Sequence, residues 1–122
     1  MRDPSKLRAF KLADELVLAV YQATQSFPRG EQFGLTTQIR RAAVSVVSNI
    51  VEGSARNSHA DYLHFLDIAY GSASELGYQL SLACRLGYLP GAEHEPLKAL
   101  CDETCKVLTG LIRSLWARSS AR

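Results

Sequence analysis

The chain has 122 residues, of which 47% are apolar and 21% are charged, a composition typical of one folded domain rather than of a disordered chain. Its formal net charge is only +2, whereas dedicated duplex-binding proteins are far more basic, so any contact with nucleic acid must come from a local patch. No stretch approaches the ~20 apolar residues of a membrane span, and the first residues contain no apolar segment of a signal peptide. We therefore predict a single cytoplasmic domain over residues 1–122 without membrane contact.

Apolar residues recur at spacings of three and four in four segments that glycine and proline separate. The spacing predicts helices over residues 5–26, 36–53, 58–86 and 95–118. The third helix has the most regular apolar seam, which consists of Tyr62, Leu66, Ala69, Ala73, Leu76, Leu80 and Ala83. Because short connections return the chain alongside the helix it has just left, the sequence predicts an all-α, antiparallel, up-and-down four-helix bundle.

Residue types near the helix ends predict how the helices begin and stop. The hydroxyl of Thr36 is expected to cap the second helix, and Asn57 or Ser58 the third. Gly87 is a C-terminal stop signal for the third helix. Pro96 suits the first turn of the fourth helix, where its missing N–H has no consequence.

Three cysteines, Cys84, Cys101 and Cys105, lie within the helical segments. An odd number of helical cysteines fits reduced thiols in a reducing compartment. Cys101 and Cys105 are one turn apart, but two thiolates without a third and fourth ligand make a poor zinc site. We interpret the cysteines as core thiols and predict no metal and no cofactor.

The second helix, within "QIRRAAVSVVSNIVEGSAR", carries a continuous polar stripe beside its apolar seam. The stripe consists of Gln38, Arg41, Ser45, Ser48 and Glu52. A solvated face explains it without further assumption. A contact with another subunit or a surface for a ligand or nucleic acid are the alternatives, because buried polar groups need partners that such contacts supply.

If the second and third helices pack antiparallel about a turn near Arg56, residues at equal distances from that turn lie level with each other. Arg41 is then level with Gly71 and one turn from Asp67 and Glu75. The sequence therefore predicts that Arg41 points inward and pairs with one of these two carboxylates.

Arg40 points about 100° away from Arg41 and needs a different role. For Arg40 and Arg56 the alternatives are a phosphate contact, a solvated charge and an intersubunit charge. Glu52 and Arg56 form an i,i+4 pair in the favourable order. Asn49 is suited to bridge two helices, and Gly53 marks either a helix end or a close backbone approach.

The chain shows no pattern of a catalytic or metal site. Ser72 and Glu75 are one turn apart, but a nucleophilic serine needs a base held by a third group, and no histidine is level with Ser72. A di-metal bundle needs two Glu-x-x-His helices, and the sequence offers only Asp61-x-x-His64. Aromatic residues that suit base stacking are interpreted instead as core or interface residues: Tyr62, Phe65, Tyr70 and Tyr78.

Three segments, "SFPRGEQFGLTTQIRRA", "QIRRAAVSVVSNIVEGSAR" and "DYLHFLDIAYGSASELGYQL", together resemble the four-helix-bundle proteins first noted in intervening sequences of bacterial 23S rRNA genes. The resemblance runs from about Phe10 to Leu115. It implies a non-enzymatic bundle that assembles into a ring, with five subunits described for relatives. Similar bundles serve as accessory proteins of diversity-generating retroelements, where a basic barrel is thought to engage RNA and a reverse transcriptase.

The resemblance also implies a structural or interface motif. Its residues here are Gln38, Arg41, Ser45, Asn49, Glu52, Gly53, Asp67, Gly71, Ser72 and Glu75. The residues predicted to contact nucleic acid are Arg40 and Arg56.

Assembly is also indicated by Leu18, which lies within a polar stripe of the first helix, and by apolar residues on more than one side of the third. We therefore predict a homo-oligomeric scaffold that binds RNA, or an RNA-bound protein, through a local arginine patch. The alternative is a protein-interaction module without affinity for nucleic acid. Neither hypothesis involves a small-molecule substrate.

Overall fold

A computed structural model describes residues 2–120; the ends of the predicted domain, Met1, Ala121 and Arg122, lie outside the described residues. The four helices are α1 (Arg8–Thr24), α2 (Leu35–Ser54), α3 (His59–Arg85) and α4 (Gly91–Ser120). Short 3₁₀ helices, Pro4–Lys6 and Arg29–Glu31, precede α1 and α2. Over residues 2–120 the structure contains no strand, so the predicted all-α fold is confirmed.

The ends of α3 agree with the sequence prediction. The hydroxyl of Ser58 accepts a hydrogen bond from the Asp61 N–H at 3.0 Å, which satisfies one of the unpaired donors of the first turn. After Arg85 the chain turns at Gly87, whose φ of 82° is in the left-handed region that favours glycine.

The starts of the other helices differ from the prediction. Pro4–Lys6 forms a 3₁₀ turn, so α1 begins at Arg8. Thr36 does not cap α2: the Glu31 carboxylate accepts from the Leu35 N–H at 3.1 Å instead. The fourth helix begins at Gly91, so Pro96 lies beyond its first turn.

The core follows the predicted seams. Helices α1 and α3 each pack against α2 and α4, and all seven residues of the predicted α3 seam are buried. They meet fully buried side chains from the other three helices, among them Leu16, Val20, Ile39, Val46, Ile50 and Leu108. Within the described part of the chain, no helix is long and apolar enough to cross a membrane.

The register between α2 and α3 is not the predicted one. With Arg41 level with Gly71, Ser45 would lie level with Asp67, but its hydroxyl bonds to that of Ser72 at 2.7 Å. Helix α3 is therefore displaced by more than one turn from its predicted position. A second close contact, between Gly53 and Phe65, lies nearer the turn.

Candidate nucleic-acid interface

The polar stripe of α2 lies along the groove between α2 and α3, where Ser45 connects the two helices. The Ser45 and Ser72 hydroxyls bond to each other, and the Asn49 amide nitrogen donates to the Ser45 carbonyl at 2.8 Å and to its hydroxyl at 3.0 Å. All three residues are half-buried. The predicted bridge through Asn49 is wrong, because Asn49 bonds within its own helix and Ser45 makes the contact with α3. This bond also gives the Ser72 hydroxyl a structural partner.

Arg41 is exposed and lines this groove together with Gln38 and Glu75. In the described part of the chain it forms no ion pair with Asp67 or Glu75, so the predicted inward pairing is wrong. With Ser45 level with Ser72, Glu75 is nearly level with Arg41, but both side chains are exposed and solvated, so no ion pair forms. Glu75 instead accepts a hydrogen bond from the Gln79 amide at 3.4 Å.

Arg40 is the arginine that points inward, towards α1. Its Nε donates to the Thr24 hydroxyl at 2.8 Å and its Nη2 to the Tyr21 carbonyl at 3.3 Å, while the guanidinium lies 4.6 Å from the Tyr21 ring centre. Carbonyl groups in the last turn of a helix lack intrahelical partners, so Arg40 closes the C-terminal end of α1. These contacts leave Arg40 poorly placed for the nucleic-acid contact that the sequence predicts.

Arg56 lies at the opposite end of α2 and is exposed. It forms the predicted i,i+4 ion pair with Glu52, and its guanidinium lies 4.8 Å from the Phe65 ring centre. A second arginine joins it: Arg2 Nη1 donates to the Arg56 carbonyl at 2.7 Å, and its guanidinium lies 4.2 Å from the Tyr62 ring centre. Two guanidinium groups therefore lie side by side on two aromatic rings of α3. We call these two arginines and two rings the arginine platform.

The sequence gives little indication of Arg2 in this site, because Arg2 and Tyr62 are 60 positions apart. Its only signal is a positive charge just before the first helix.

Gly53 places α2 close to these aromatic rings. A Cβ atom at this position would lie 2.9 Å from the Phe65 Cβ and 3.3 Å from the Tyr62 Cδ1, so the predicted close backbone approach is confirmed. Burial raises the pKa of Tyr62, and the positive charge of Arg2 opposes this effect. Both rings are fixed by helix packing before any ligand binds.

Of the remaining motif residues on α3, Glu75 faces the groove beside α2 and Asp67 faces the end of α4, with Gly71 between them in the helix. Asp67, Gly71 and Glu75 are exposed, and a Cβ added to Gly71 would meet nothing within 4 Å. Packing within the chain therefore gives no reason for a glycine at this position, although glycine within a helix costs roughly 0.5–1 kcal/mol relative to alanine.

The thiols of α4 face α3. Cys101 is buried, with its Sγ 3.3 Å from the Ala73 carbonyl oxygen, whereas Cys105 is half-buried. Hydrogen bonding from Cys101 lowers the pKa of Cys105 to about 7, and Ser74 acts in the same direction. The Cys101 thiol lies beside both the Ala73 carbonyl and the Cys105 sulfur. The hydrogen bond to Cys105 and burial raise the pKa of Cys101.

Comparison with known proteins identifies the family. The family model of the 23S rRNA-intervening sequence protein matches residues 5–110. A crystal structure of a protein with unknown function from the S23 ribosomal protein family of Bacteroides thetaiotaomicron VPI-5482 is similar to this chain, with a TM-score of 0.78 and 26% sequence identity. The match covers 86% of this chain and 95% of the other. No curated protein matches the sequence. Because the family model covers most of its length, the chain belongs to the 23S rRNA-intervening sequence protein family.

Proposed function

We propose that this protein is a non-enzymatic, cytoplasmic homo-oligomeric scaffold that contacts RNA phosphates through Arg2 and Arg56. The observation that carries the proposal is the arginine platform at one end of the bundle. Stacking on Tyr62 and Phe65 holds the guanidiniums in place, so less side-chain entropy is lost when they bind a phosphate. A local patch of this kind is consistent with a net charge of +2.

Glu52 reduces the charge of the platform but does not cancel it. The carboxylate pairs with Arg56 alone, and both side chains are about half exposed. An exposed pair of this type contributes only about 0–1 kcal/mol, so a phosphate can compete for Arg56. Arg2 adds a second positive charge to the same surface.

We infer that neighbouring helices of the bundle run in opposite directions. Contacts between α3 and α4 support this: His59, at the start of α3, bonds to the Leu115 carbonyl near the end of α4, whereas Ala73 contacts the earlier Cys101. The C-terminal ends of α2 and α4 then lie at the same end of the molecule, beside the start of α3. Arg2 and Arg56 meet because the end of α2 and the first residues of the chain lie at the same end of the bundle.

We further propose assembly into a ring, with five subunits as the resemblance implies. A ring requires two different complementary surfaces on each subunit. The face between α1 and α2 exposes Leu18, Tyr21, Val44 and Val51. The outer side of α3 exposes Ile68 and Tyr78 and includes Gly71, which leaves room for a neighbouring chain.

Assembly is tested by light scattering at micromolar concentration, with Leu18→Glu as the variant and Leu86→Glu as a control. Leu18 and Leu86 are 63% and 50% exposed, but Leu86 follows α3 and lies outside both proposed faces. We expect Leu18→Glu to reduce the assembly mass and Leu86→Glu to preserve it. A monomeric parent protein would overturn the ring.

RNA binding is tested by fluorescence anisotropy of a labelled oligoribonucleotide across a salt series. We expect Arg2→Ala and Arg56→Ala each to weaken binding and to lower the slope of log affinity against log salt by about one phosphate contact. Arg85→Ala is the matched control, because Arg85 also lies over an aromatic ring, that of Tyr78, at the other end of α3.

The alternative function is a protein-interaction module without affinity for nucleic acid, which the small net charge favours. An absence of binding even at low salt would overturn the RNA proposal and leave this alternative. An equal loss of affinity in Arg85→Ala and Arg56→Ala would show that binding depends on overall charge and not on the arginine platform.

A further inference from the structure

A cleft lies between the first turns of α3 and the last turns of α4. It has a volume of about 470 Å³, within the ~300–1,000 Å³ range of ligand pockets. Its lining residues are His59, Ala60, Leu63, His64, Asp67, Trp116 and Ser119. The cleft is thus a mixed aromatic and polar site beside the start of α3.

Trp116 gives the cleft a stacking surface. It is the only tryptophan of the sequence, and 55% of it is exposed, although the large apolar indole usually gains by burial. The neighbouring Leu63 is 5% exposed, so the lining includes both a buried apolar side chain and an open indole. Exposed aromatic faces of this kind stack on unpaired bases of any sequence.

The polar side of the cleft is positioned by the structure. His59 Nε2 lies 2.9 Å from the Leu115 carbonyl oxygen, which makes this nitrogen a donor and fixes the ring. Asp67 is exposed, and within residues 2–120 its carboxylate forms no ion pair. Because a carboxylate repels phosphate, Asp67 suits an RNA site only where it faces the N–H groups of a base.

The cleft lies next to the arginine platform on the first turns of α3. His64 lines the cleft, and its ring centre lies 5.6 Å from that of Phe65 in an edge-on arrangement. Phe65 in turn carries the Arg56 guanidinium on its ring. A single strand whose backbone contacts Arg56 can therefore place an adjacent base towards Trp116.

We propose that this cleft binds a guanine base of single-stranded RNA, with the base stacked on Trp116 and its Watson–Crick edge on Asp67. Guanine presents two adjacent donors on that edge, N1–H and the N2 amino group, which match the two oxygens of a carboxylate. Adenine and cytosine each present one amino donor beside an acceptor. The inference rests on the proposed function for the backbone contact and adds the base that the protein selects.

The test uses the intrinsic fluorescence of Trp116 together with the anisotropy of labelled oligoribonucleotides. The probes are two short oligouridylates at low salt, one with a single guanine and one with a single adenine at the same position. We expect the guanine oligomer to quench Trp116 fluorescence and to bind about tenfold more tightly, since a good bidentate contact discriminates by ~1–3 kcal/mol. Asp67→Asn is expected to remove this preference.

Asp61→Asn is the matched control, because Asp61 is exposed on the same helix but does not line the cleft. This variant removes the same charge and is expected to retain the preference for guanine. Trp116→Phe removes the tryptophan emission and so shows that the quenched fluorescence comes from Trp116. The phenyl ring is expected to retain part of the stacking.

Different results separate this inference from the proposed function. Binding that depends on Arg56 but neither quenches Trp116 nor distinguishes the two oligomers would overturn the guanine site and keep the RNA proposal. Equal effects of Asp67→Asn and Asp61→Asn would also overturn it. Absence of binding by both oligomers at low salt would overturn the proposed RNA function and the guanine site together.

Discussion

Near the start of α2, the Arg40 guanidinium is fixed against α1 by hydrogen bonds to Thr24 and Tyr21. At the end of the same helix, the Arg56 guanidinium lies on the Phe65 ring and remains exposed. The first arginine completes the end of a helix, whereas the second presents its charge to solvent. Their neighbours, and not their residue type, determine this difference.

The physical origin of the difference lies in what each arginine meets. Arg40 passes the last turn of α1, where the Tyr21 carbonyl accepts from the Thr24 hydroxyl and from this charged donor, each at 3.3 Å. Arg56 lies on an aromatic face, which attracts the cation without using its N–H groups, and one of these groups donates to the exposed Glu52 carboxylate. Stacking therefore orients a guanidinium without using its donors, whereas hydrogen bonding to the backbone does use them.

The largest expected effect concerns Gly53, where the backbone of α2 lies close to Phe65 and Tyr62 of α3 beneath the arginine platform. Gly53→Ala places a Cβ 2.9 Å from the Phe65 Cβ, a contact that the packed helices must relieve by moving apart. Overpacking of this kind costs about 1–3 kcal/mol, and the gain in helix propensity returns up to about 1 kcal/mol. We expect a net loss of about 1–2 kcal/mol in the free energy of unfolding, measured by urea denaturation.

Gly110→Ala is the control for this substitution. Gly110 is exposed within α4, and a Cβ there would meet nothing within 4 Å. We expect it to raise the stability by about 0.5–1 kcal/mol. A stabilising Gly53→Ala would contradict the close approach of α2 and α3.

The sequence predicts the helices well because each depends on local spacing. The buried seam of α3 and the turn at Gly87 follow from periodicity and from residue type, and both are confirmed. The register between α2 and α3 depends on the packing of two helices across a turn, and the sequence placed α3 more than one turn from its observed position.

The candidate site was predictable only in part. Arg56 and its pairing with Glu52 follow from spacing along one helix. The contribution of Arg2 depends on the meeting of segments far apart in the sequence, for which helical periodicity gives no information. The same limitation explains why the inward direction of Arg40 was not predicted, since it depends on where α1 ends.

The second prediction compares Arg40, within α2, with Arg56, which follows the end of α2. Arg40→Ala removes two hydrogen bonds and the contact with Tyr21, and leaves a carbonyl of α1 without its charged donor. We expect a loss of about 1–2 kcal/mol in stability. Arg56→Ala removes only an exposed ion pair and a stacked contact, so we expect a loss of at most about 0.5–1 kcal/mol.

Thermal denaturation of both variants, alongside the RNA titrations, measures the two effects together. Arg40→Ala is expected to lower the melting temperature more and the RNA affinity less than Arg56→Ala does. The reverse order in both measurements would show that the two ends of α2 have been assigned the wrong roles.

The smallest expected effect concerns two half-buried thiols, Cys84 and Cys105. Like the two arginines, they are residues of one type with different neighbours. Hydrogen bonding from Cys101 lowers the pKa of Cys105 from its ordinary value of 9.0 to about 7, so the fold favours the thiolate. The stabilisation from Cys105 is then fully present above pH 9 and is lost as the pH falls through 7.

Alkylation by iodoacetamide, followed by mass spectrometry of peptides, is expected to reach half its maximal rate at Cys105 near pH 7. Cys101→Ala removes the donor and should move this midpoint to higher pH, while Cys84 serves as the reference within the same chain. Equal alkylation rates at Cys84 and Cys105 at pH 7 would contradict this prediction. The two thiols are similarly half-buried, so only the hydrogen bond from Cys101 is expected to make Cys105 react faster.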